Sequence, residues 1–220
     1  MGTVAENIKK ALSTLPAGVE LVAVSKFQPI ESIREAYDAG QRKFGESRVA
    51  ELIMKTESMP SDVEWHFIGH IQTNKLKGLI GKVSLIESVD SERVLELIDR
   101  YSAERGVVTD VLMQVHVARE ETKFGWPPAE LIRFFKGRIY LKLTSTRIRG
   151  LMAMATNTED MARVEADFAE VEKIYYQIKN IASDLKDFDL ISMGMSDDYP
   201  LAVKHGANIV RIGTKIFGER

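Results

Sequence analysis

The sequence predicts an α/β protein: a single (β/α)8 TIM barrel of parallel strands, with an additional N-terminal helix ahead of the first strand. Three observations carry that expectation. Short β-rich apolar runs alternate with amphipathic stretches along the chain, and such alternation implies a parallel sheet covered by helices. The alternation repeats eight times in 220 residues with no linker or shift in composition, so 1–220 reads as one domain. That length is close to the lower limit of roughly 200 residues for such a barrel. The first run, Leu21-Val22-Ala23-Val24-Ser25-Lys26, is apolar at nearly every position, as expected of a strand buried on both faces. A doubly wound open sheet is the rival architecture, because it shares the same alternation.

The elements follow in order. Val4, Ile8, Ala11, Leu12 and Leu15 recur at helical spacing among lysines and glutamates, which predicts an amphipathic helix over 1–15. Pro16-Ala17-Gly18 breaks it and leads into the strand over 21–26. Pro29 opens the next helix and Gly40 closes it, the usual helix punctuation. Lys43-Phe44-Gly45 is a short second strand, and a helix follows over 48–58. Trp65-His66-Phe67-Ile68 is the third strand, closed by Gly69-His70 and followed by a polar helix over 73–80. Strand four covers 83–89, and Ser91 caps a helix that runs over 92–104. Strand five, 107–117, is the longest β-rich run; a polar loop over 119–126 separates it from a helix opened by Pro127-Pro128. Residues 138–146 fit either an extension of that helix or a turn. Strand six covers 147–154 and precedes a long helix over 158–185. Strand seven, 189–192, ends in Met193-Gly194-Met195-Ser196; a helix over 197–205 then stops at Gly206. Strand eight, 208–212, runs into Gly213-Thr214-Lys215.

Composition removes several function classes. The net charge is −2 with both signs interspersed, so no basic field is present to hold a nucleic acid backbone. There is no cysteine, which excludes disulfides and a thiol nucleophile and is compatible with a reducing, cytoplasmic setting. The first helix lacks the continuous apolar core of a signal peptide. No apolar run approaches the ~20 residues of a membrane span. With no cysteine and only four histidines, no metal site is expected.

In a barrel the carboxyl ends of all strands open onto one mouth. The residues expected there are Lys26, Ser47, His70, Lys123, Met154, Met195, Ser196, Arg211, Gly213 and Thr214. Lys26 ends an apolar strand. There it is either a surface lysine capping that strand or a partly desolvated amine, and desolvation favours the neutral form that attacks an aldehyde. The loops after strands seven and eight of barrels often bind phosphate. Here they carry glycine with Ser196 and with Thr214, at positions where free backbone N–H groups attract anions. Each taken alone is also ordinary turn chemistry. An imine-forming lysine beside a phosphate cup suggests an aldehyde that bears a phosphate, and pyridoxal phosphate fits. Arg211, between Val210 and Ile212, points to the face opposite both. It serves either the ring nitrogen of such a cofactor or an ion pair with an acidic side chain. An arginine partner stays protonated, which leaves the ring nitrogen unprotonated and the ring a weak electron sink.

The chain resembles the pyridoxal phosphate homeostasis proteins, relatives of the barrel domain of alanine racemase. The resemblance rests on Ala23-Val24-Ser25-Lys26, Phe44-Gly45-Glu46, Trp65-His66-Phe67-Ile68-Gly69-His70 with Gln72 and Asn74-Lys75, and Gly150-Leu151-Met152-Ala153-Met154. It continues through Ser192-Met193-Gly194-Met195-Ser196, Val210-Arg211-Ile212-Gly213-Thr214 and Ile216-Phe217-Gly218. It implies one barrel that holds pyridoxal phosphate covalently, as a Schiff base on Lys26. It implies phosphate contacts from Ser196, Gly213 and Thr214, and Arg211 at the ring nitrogen. Two positions depart from the family pattern: Ser47 stands where asparagine is usual, and Phe27 where threonine is usual.

The resemblance implies a carrier in vitamin B6 homeostasis rather than an efficient catalyst, with pyridoxal phosphate-dependent apo-enzymes as recipients; a short barrel without a second domain leads to the expectation of a monomer. The alternative is an amino-acid racemase. Its relatives supply a second base, a tyrosine, from an added β domain of a partner chain; that domain is expected to be absent here, since the chain ends directly after the eighth unit. Tyr199 is the one tyrosine placed near the cup. A Schiff-base aldolase acting without cofactor is a third reading. His70 either touches the cofactor or caps its strand, and Lys123 is expected to be a solvated loop lysine rather than a second amine at the mouth. The methionines of strands six and seven read as core and pocket lining.

Overall fold

Eight strands close on themselves in sequence order, and all neighbours run parallel. They are β1 (Glu20–Val24), β2 (Lys43–Glu46), β3 (Glu64–Phe67), β4 (Leu85–Val89), β5 (Thr109–Val115), β6 (Thr146–Ala153), β7 (Leu190–Ser192) and β8 (Ile209–Ile212). The pairing of β8 with β1 sets Val22 beside Arg211 and Ala23 beside Ile212. That pairing rules out the open sheet. The computed structural model describes residues 2–120 and 122–219. Met1, Glu121 and Arg220, and with them the outer ends of the chain and one residue of the expected polar loop, lie outside the described residues.

Helices α1 (Val4–Ser13), α2 (Ile30–Asp38), α3 (Val49–Ser58), α4 (Glu92–Arg105), α5 (Pro128–Lys136), α6 (Met161–Ile181), α7 (Tyr199–Lys204) and α8 (Thr214–Phe217) cover the barrel. Their ends follow local chemistry. Thr3 and Glu6 form a reciprocal capping box at α1. Asp160 caps α6, and Gly106 ends α4 in the left-handed conformation.

Strand alternation sorts the apolar residues into two cores. Val22, Leu85, Leu112, Met152 and Ile209 meet inside the barrel, with Met154 and Leu190 against them. The other face of each strand, including Ala23, Phe44, Phe67, Ile86, Val111, Leu151 and Val210, joins the much larger core beneath the helices. No helix among the described residues is long and apolar enough to cross a membrane.

One expected helix is not there. Over 73–80 only the 3-10 turn Leu76–Gly78 forms. The amides of Lys75, Leu76, Gly78, Leu79 and Lys82 bond carbonyls three residues back, the 3-10 pattern. Leu76, Leu79 and Ile80 are buried all the same, so the apolar spacing that suggested a helix reports burial of a tighter coil. The open choice over 138–146 resolves into a second 3-10 turn, Ile139–Lys142, entered through Arg138 at φ 54°.

Candidate functional site

Lys26 lies two residues past β1, which ends at Val24 rather than running to 26, at the end of the barrel where every strand finishes. It sits inside a turn closed by the Gln28 amide, which donates to the Ser25 carbonyl at 2.9 Å. β8 ends alongside. A Cβ added to Gly213 would lie only 3.3 Å from Cβ of Val24, so the residue after β8 packs tightly on the end of β1. Gly213 thus lies against Val24, the residue that leads into the turn carrying Lys26.

The loop after β7 completes that corner. Thr214 Oγ1 donates to Ser196 Oγ at 2.9 Å, which brings the two expected cup hydroxyls together. Gly194 makes the loop possible: its φ is +92°, and a Cβ there would lie 2.6 Å from that of Ala202. Its carbonyl accepts from the Arg211 amide at 3.0 Å, joining the loop to β8. Asp198, at the start of α7, takes the Met195 amide at 2.5 Å. Met193 is fully buried and belongs to the core, whereas Met195 is 41% exposed.

Beneath the mouth lies a polar layer inside the barrel. Arg211 is buried and points inward, opposite Val210 and Ile212. Its guanidinium donates to Ser192 Oγ at 2.5 Å and to the Ala153 carbonyl at 2.8 Å, and lies 3.6 Å from Glu87. Ser192 in turn donates to Glu87 at 2.5 Å, and His66 Nδ1 lies 2.6 Å from the other carboxylate oxygen. Burial presses the Arg211 guanidinium below its ordinary value, and the Glu87 charge opposes this. Burial also pushes Glu87 upward, but the bond and charge of His66, with Arg211 and Ser192, hold it below the usual carboxylate value. The acidic partner considered for Arg211 exists. It shares the guanidinium with backbone and hydroxyl rather than chelating it.

Glu87 and Ser192 were not legible as site residues. The available signal was an acidic residue inside the apolar run Leu85-Ile86-Glu87-Ser88-Val89, since a buried carboxylate requires a partner.

The remaining candidates sit at the rim. Ser47 is half-buried after β2 and borders a cavity of about 210 Å³ that Arg48, His70, Gln72 and Lys75 also line. His70 is exposed, stacks on Phe124 at 3.6 Å and places Nδ1 3.1 Å from Asp90. Met154 packs on the interior apolar cluster. Lys123 is not the solvated lysine expected of that loop: it donates to the Ala155 carbonyl at 2.7 Å and pairs with Glu120 at 2.9 Å. The hydrogen bond from Lys123, with that from the Asn157 amide, holds the Glu120 carboxyl down at about 2. Tyr199 is also engaged, its hydroxyl 2.8 Å from that of Thr14 next to α1. His66 and His70 turn to different acids, and no group of three or more His, Asp or Glu among the described residues is placed to hold a metal ion.

A phosphorylated aldehyde fits this corner by a pair of hydroxyls beside a glycine, with a buried guanidinium beneath them and the turn that carries Lys26 alongside. Comparison with known proteins places the whole chain. The family model for the alanine racemase N-terminal domain matches residues 1–220. The pyridoxal phosphate homeostasis protein of Aquifex aeolicus is 38% identical over all of this chain and 96% of its own length. That of Schizosaccharomyces pombe is 37% identical over 92% of this chain and 84% of its own. Among solved structures, PipY of Synechococcus elongatus with pyridoxal phosphate bound superimposes with a TM-score of 0.90 at 38% identity, covering 98% of this chain and all of that one. An alanine racemase from E. faecalis shares the fold at a TM-score of 0.72 and 16% identity; the match covers 58% of that longer chain.

Proposed function

We propose a function on this premise: the chain belongs to the pyridoxal phosphate homeostasis family, and it binds pyridoxal phosphate at the carboxyl mouth of its barrel, covalently, as a Schiff base on Lys26. The observation that carries the reading is the corner itself, where Gly213 after β8 packs on Val24, two residues before Lys26. When bound, the cofactor supplies the aldehyde with which an amine condenses.

The roles of the chain's own residues follow. Lys26 holds the ligand. Ser196, Gly213 and Thr214 receive its phosphate, through two hydroxyls already oriented by their mutual bond. Arg211 faces the ring nitrogen. Guanidinium has donors only and stays protonated, and Ser192, Glu87 and the Ala153 carbonyl fix its direction. It presents a proton it does not release, so the ring nitrogen remains a poor electron sink. Ser47, His70, Met154 and Met195 border the mouth.

This arrangement suits reversible holding and release in vitamin B6 homeostasis better than turnover. Racemisation requires a base on each face of the ligand, and the Tyr199 hydroxyl is taken up by Thr14. Recipients among pyridoxal phosphate-dependent apo-enzymes, a cytoplasmic setting and a monomeric state complete the proposal.

An absorbance spectrum of protein loaded with pyridoxal phosphate tests it. A band near the visible edge is expected, removed by borohydride and absent in Lys26→Ala. Protein that takes up no colour sinks the reading, and rapid inversion of single amino-acid enantiomers sinks the carrier role.

A further inference from the structure

We propose that Glu51 and Lys55 of α3 are positioning residues for Lys26: together they grip the backbone on both sides of it and hold its turn in a conformation the turn does not favour by itself. The proposal rests on the reading that Lys26 carries the cofactor. The turn runs from Ser25 to Gln28, with Lys26 at its second position and Phe27 at its third. Phe27 has φ 65°. Only glycine, and to a lesser degree asparagine, takes that region readily, and turns that need it at the third position draw on those two residues. Phenylalanine has no side-chain group that compensates locally, so the conformation must be imposed from outside.

The source is α3. Glu51 and Lys55 lie one helical turn apart and present to the same side. The Phe27 amide donates to Glu51 Oε1 at 2.5 Å. That bond orients the peptide between Lys26 and Phe27 and so selects the positive φ. Lys55 Nζ donates to the Ser25 carbonyl at 2.8 Å, to Glu46 at 2.8 Å and to Glu51 at 2.6 Å. Ser25 Oγ donates to Glu46 at 2.6 Å. The Arg48 guanidinium, just ahead of the same helix, covers the Phe27 ring at 4.5 Å. Ser25 and Phe27 are thus each bonded to this cluster, and only Lys26 lies between them.

The cluster is an expensive way to fill space. Ser25, Glu46 and Lys55 are fully buried, and a buried ion pair gains little over apolar packing of the same volume. Burial pushes the Glu46 carboxyl above its usual value despite Lys55 and Ser25, and its second oxygen has no hydrogen-bond partner. What the cluster supplies is direction: the Lys55 amine is aimed at the Ser25 carbonyl and the Glu51 carboxylate at the Phe27 amide, while Glu46 holds Lys55 and the Ser25 hydroxyl in place. It also accounts for Glu46 of the Phe44-Gly45-Glu46 motif. Its side chain turns away from the mouth, into this cluster.

The test uses full-length protein with two readouts. In cofactor-free protein, hydrogen exchange of the Phe27 amide should be protected and become fast in Glu51→Ala. On titration with pyridoxal phosphate, Glu51→Ala should weaken imine formation about tenfold, the order expected when a left-handed non-glycine residue loses its support. Adding Phe27→Gly to Glu51→Ala should recover most of that loss, because glycine takes positive φ freely. If α3 merely supports the fold, Phe27→Gly will instead deepen the defect. Additive loss in the double variant, native imine formation in Glu51→Ala, or an exchange rate at Phe27 indifferent to Glu51 would each overturn the proposal. Native protein that forms no imine defeats the functional reading instead, and amide exchange then decides the clamp alone. Lys55→Met, which keeps the buried volume, serves should Glu51→Ala fold poorly, and the same loss of Phe27 protection is expected of it.

Discussion

The two ends of the barrel use polar side chains in opposite ways. At the amino end, Lys43 lies 2.5 Å from Glu20 and 3.8 Å from Glu64. Arg149 there meets Asp110 at 2.9 Å and Asp189 at 3.1 Å, and Arg147 meets Asp110 at 2.7 Å. Glu20, Lys43, Glu64, Asp110 and Arg149 line a cavity of about 280 Å³, yet each of them faces an opposite charge from a neighbouring strand. At the carboxyl end the grouping is mainly of donors: an amine on the β1 turn, a guanidinium rising from below, and two hydroxyls bonded to each other. Charges that satisfy one another hold strands in place. Donors that converge beside a glycine-bearing loop suit an anionic ligand, and that difference, rather than cavity size, distinguishes the two ends.

The strongest test of the contrast is Arg211→Met. It strips the buried layer of its cation while leaving Glu87 inside the barrel, and should lower stability by about 3 kcal/mol, read from urea unfolding. Unchanged stability would mean that Glu87 is not held by charge, and the distinction between the ends would fail. Acid offers a second test. Glu87 titrates below its ordinary value of 4.5 in the folded protein, so the stability it contributes is complete above that pH and is lost as pH falls through the lower folded value. Unfolding midpoints should decline across that window in native protein and decline less in Glu87→Gln. Thr214→Val is a smaller change at the mouth. It removes one hydroxyl of the cup and should weaken pyridoxal phosphate binding about tenfold, with pyridoxal, which lacks the phosphate, unaffected. The smallest effect belongs to the other end. Lys43→Met should alter stability by less than about 1 kcal/mol, because its partners are half-exposed and screened, and should leave cofactor affinity unchanged. A marked loss of affinity there would show that the two mouths are coupled, with His66 the side chain shared by the lower cavity and the buried layer.

Much of the fold was legible because its signals are local. Proline and glycine at helix ends, β-rich runs and their eightfold repetition report on neighbours in sequence. Barrel geometry then converts that order into a list of residues sharing one mouth. The same reasoning misjudged 73–80, where apolar spacing showed burial but not the 3-10 hydrogen bonding. It misjudged Lys123, since nothing near it in sequence announces the Ala155 carbonyl. It passed over Glu51 and Lys55, because nothing local marks a helix lysine as buried; Lys55 is fully buried.

By itself, then, the order of residues settled that the strands are buried on both faces and which residues stand at the strand ends, because both depend on continuous apolar runs and on adjacent turns. Only closure of the barrel decided which inward side chains meet. Glu87 and Ser192, 105 residues apart, became partners of Arg211 because β4, β7 and β8 curve round one interior, and no local period encodes a neighbour across a ring. The grip of α3 on the Lys26 turn has the same origin: it depends on how a helix lies over two strands, a matter of packing in three dimensions.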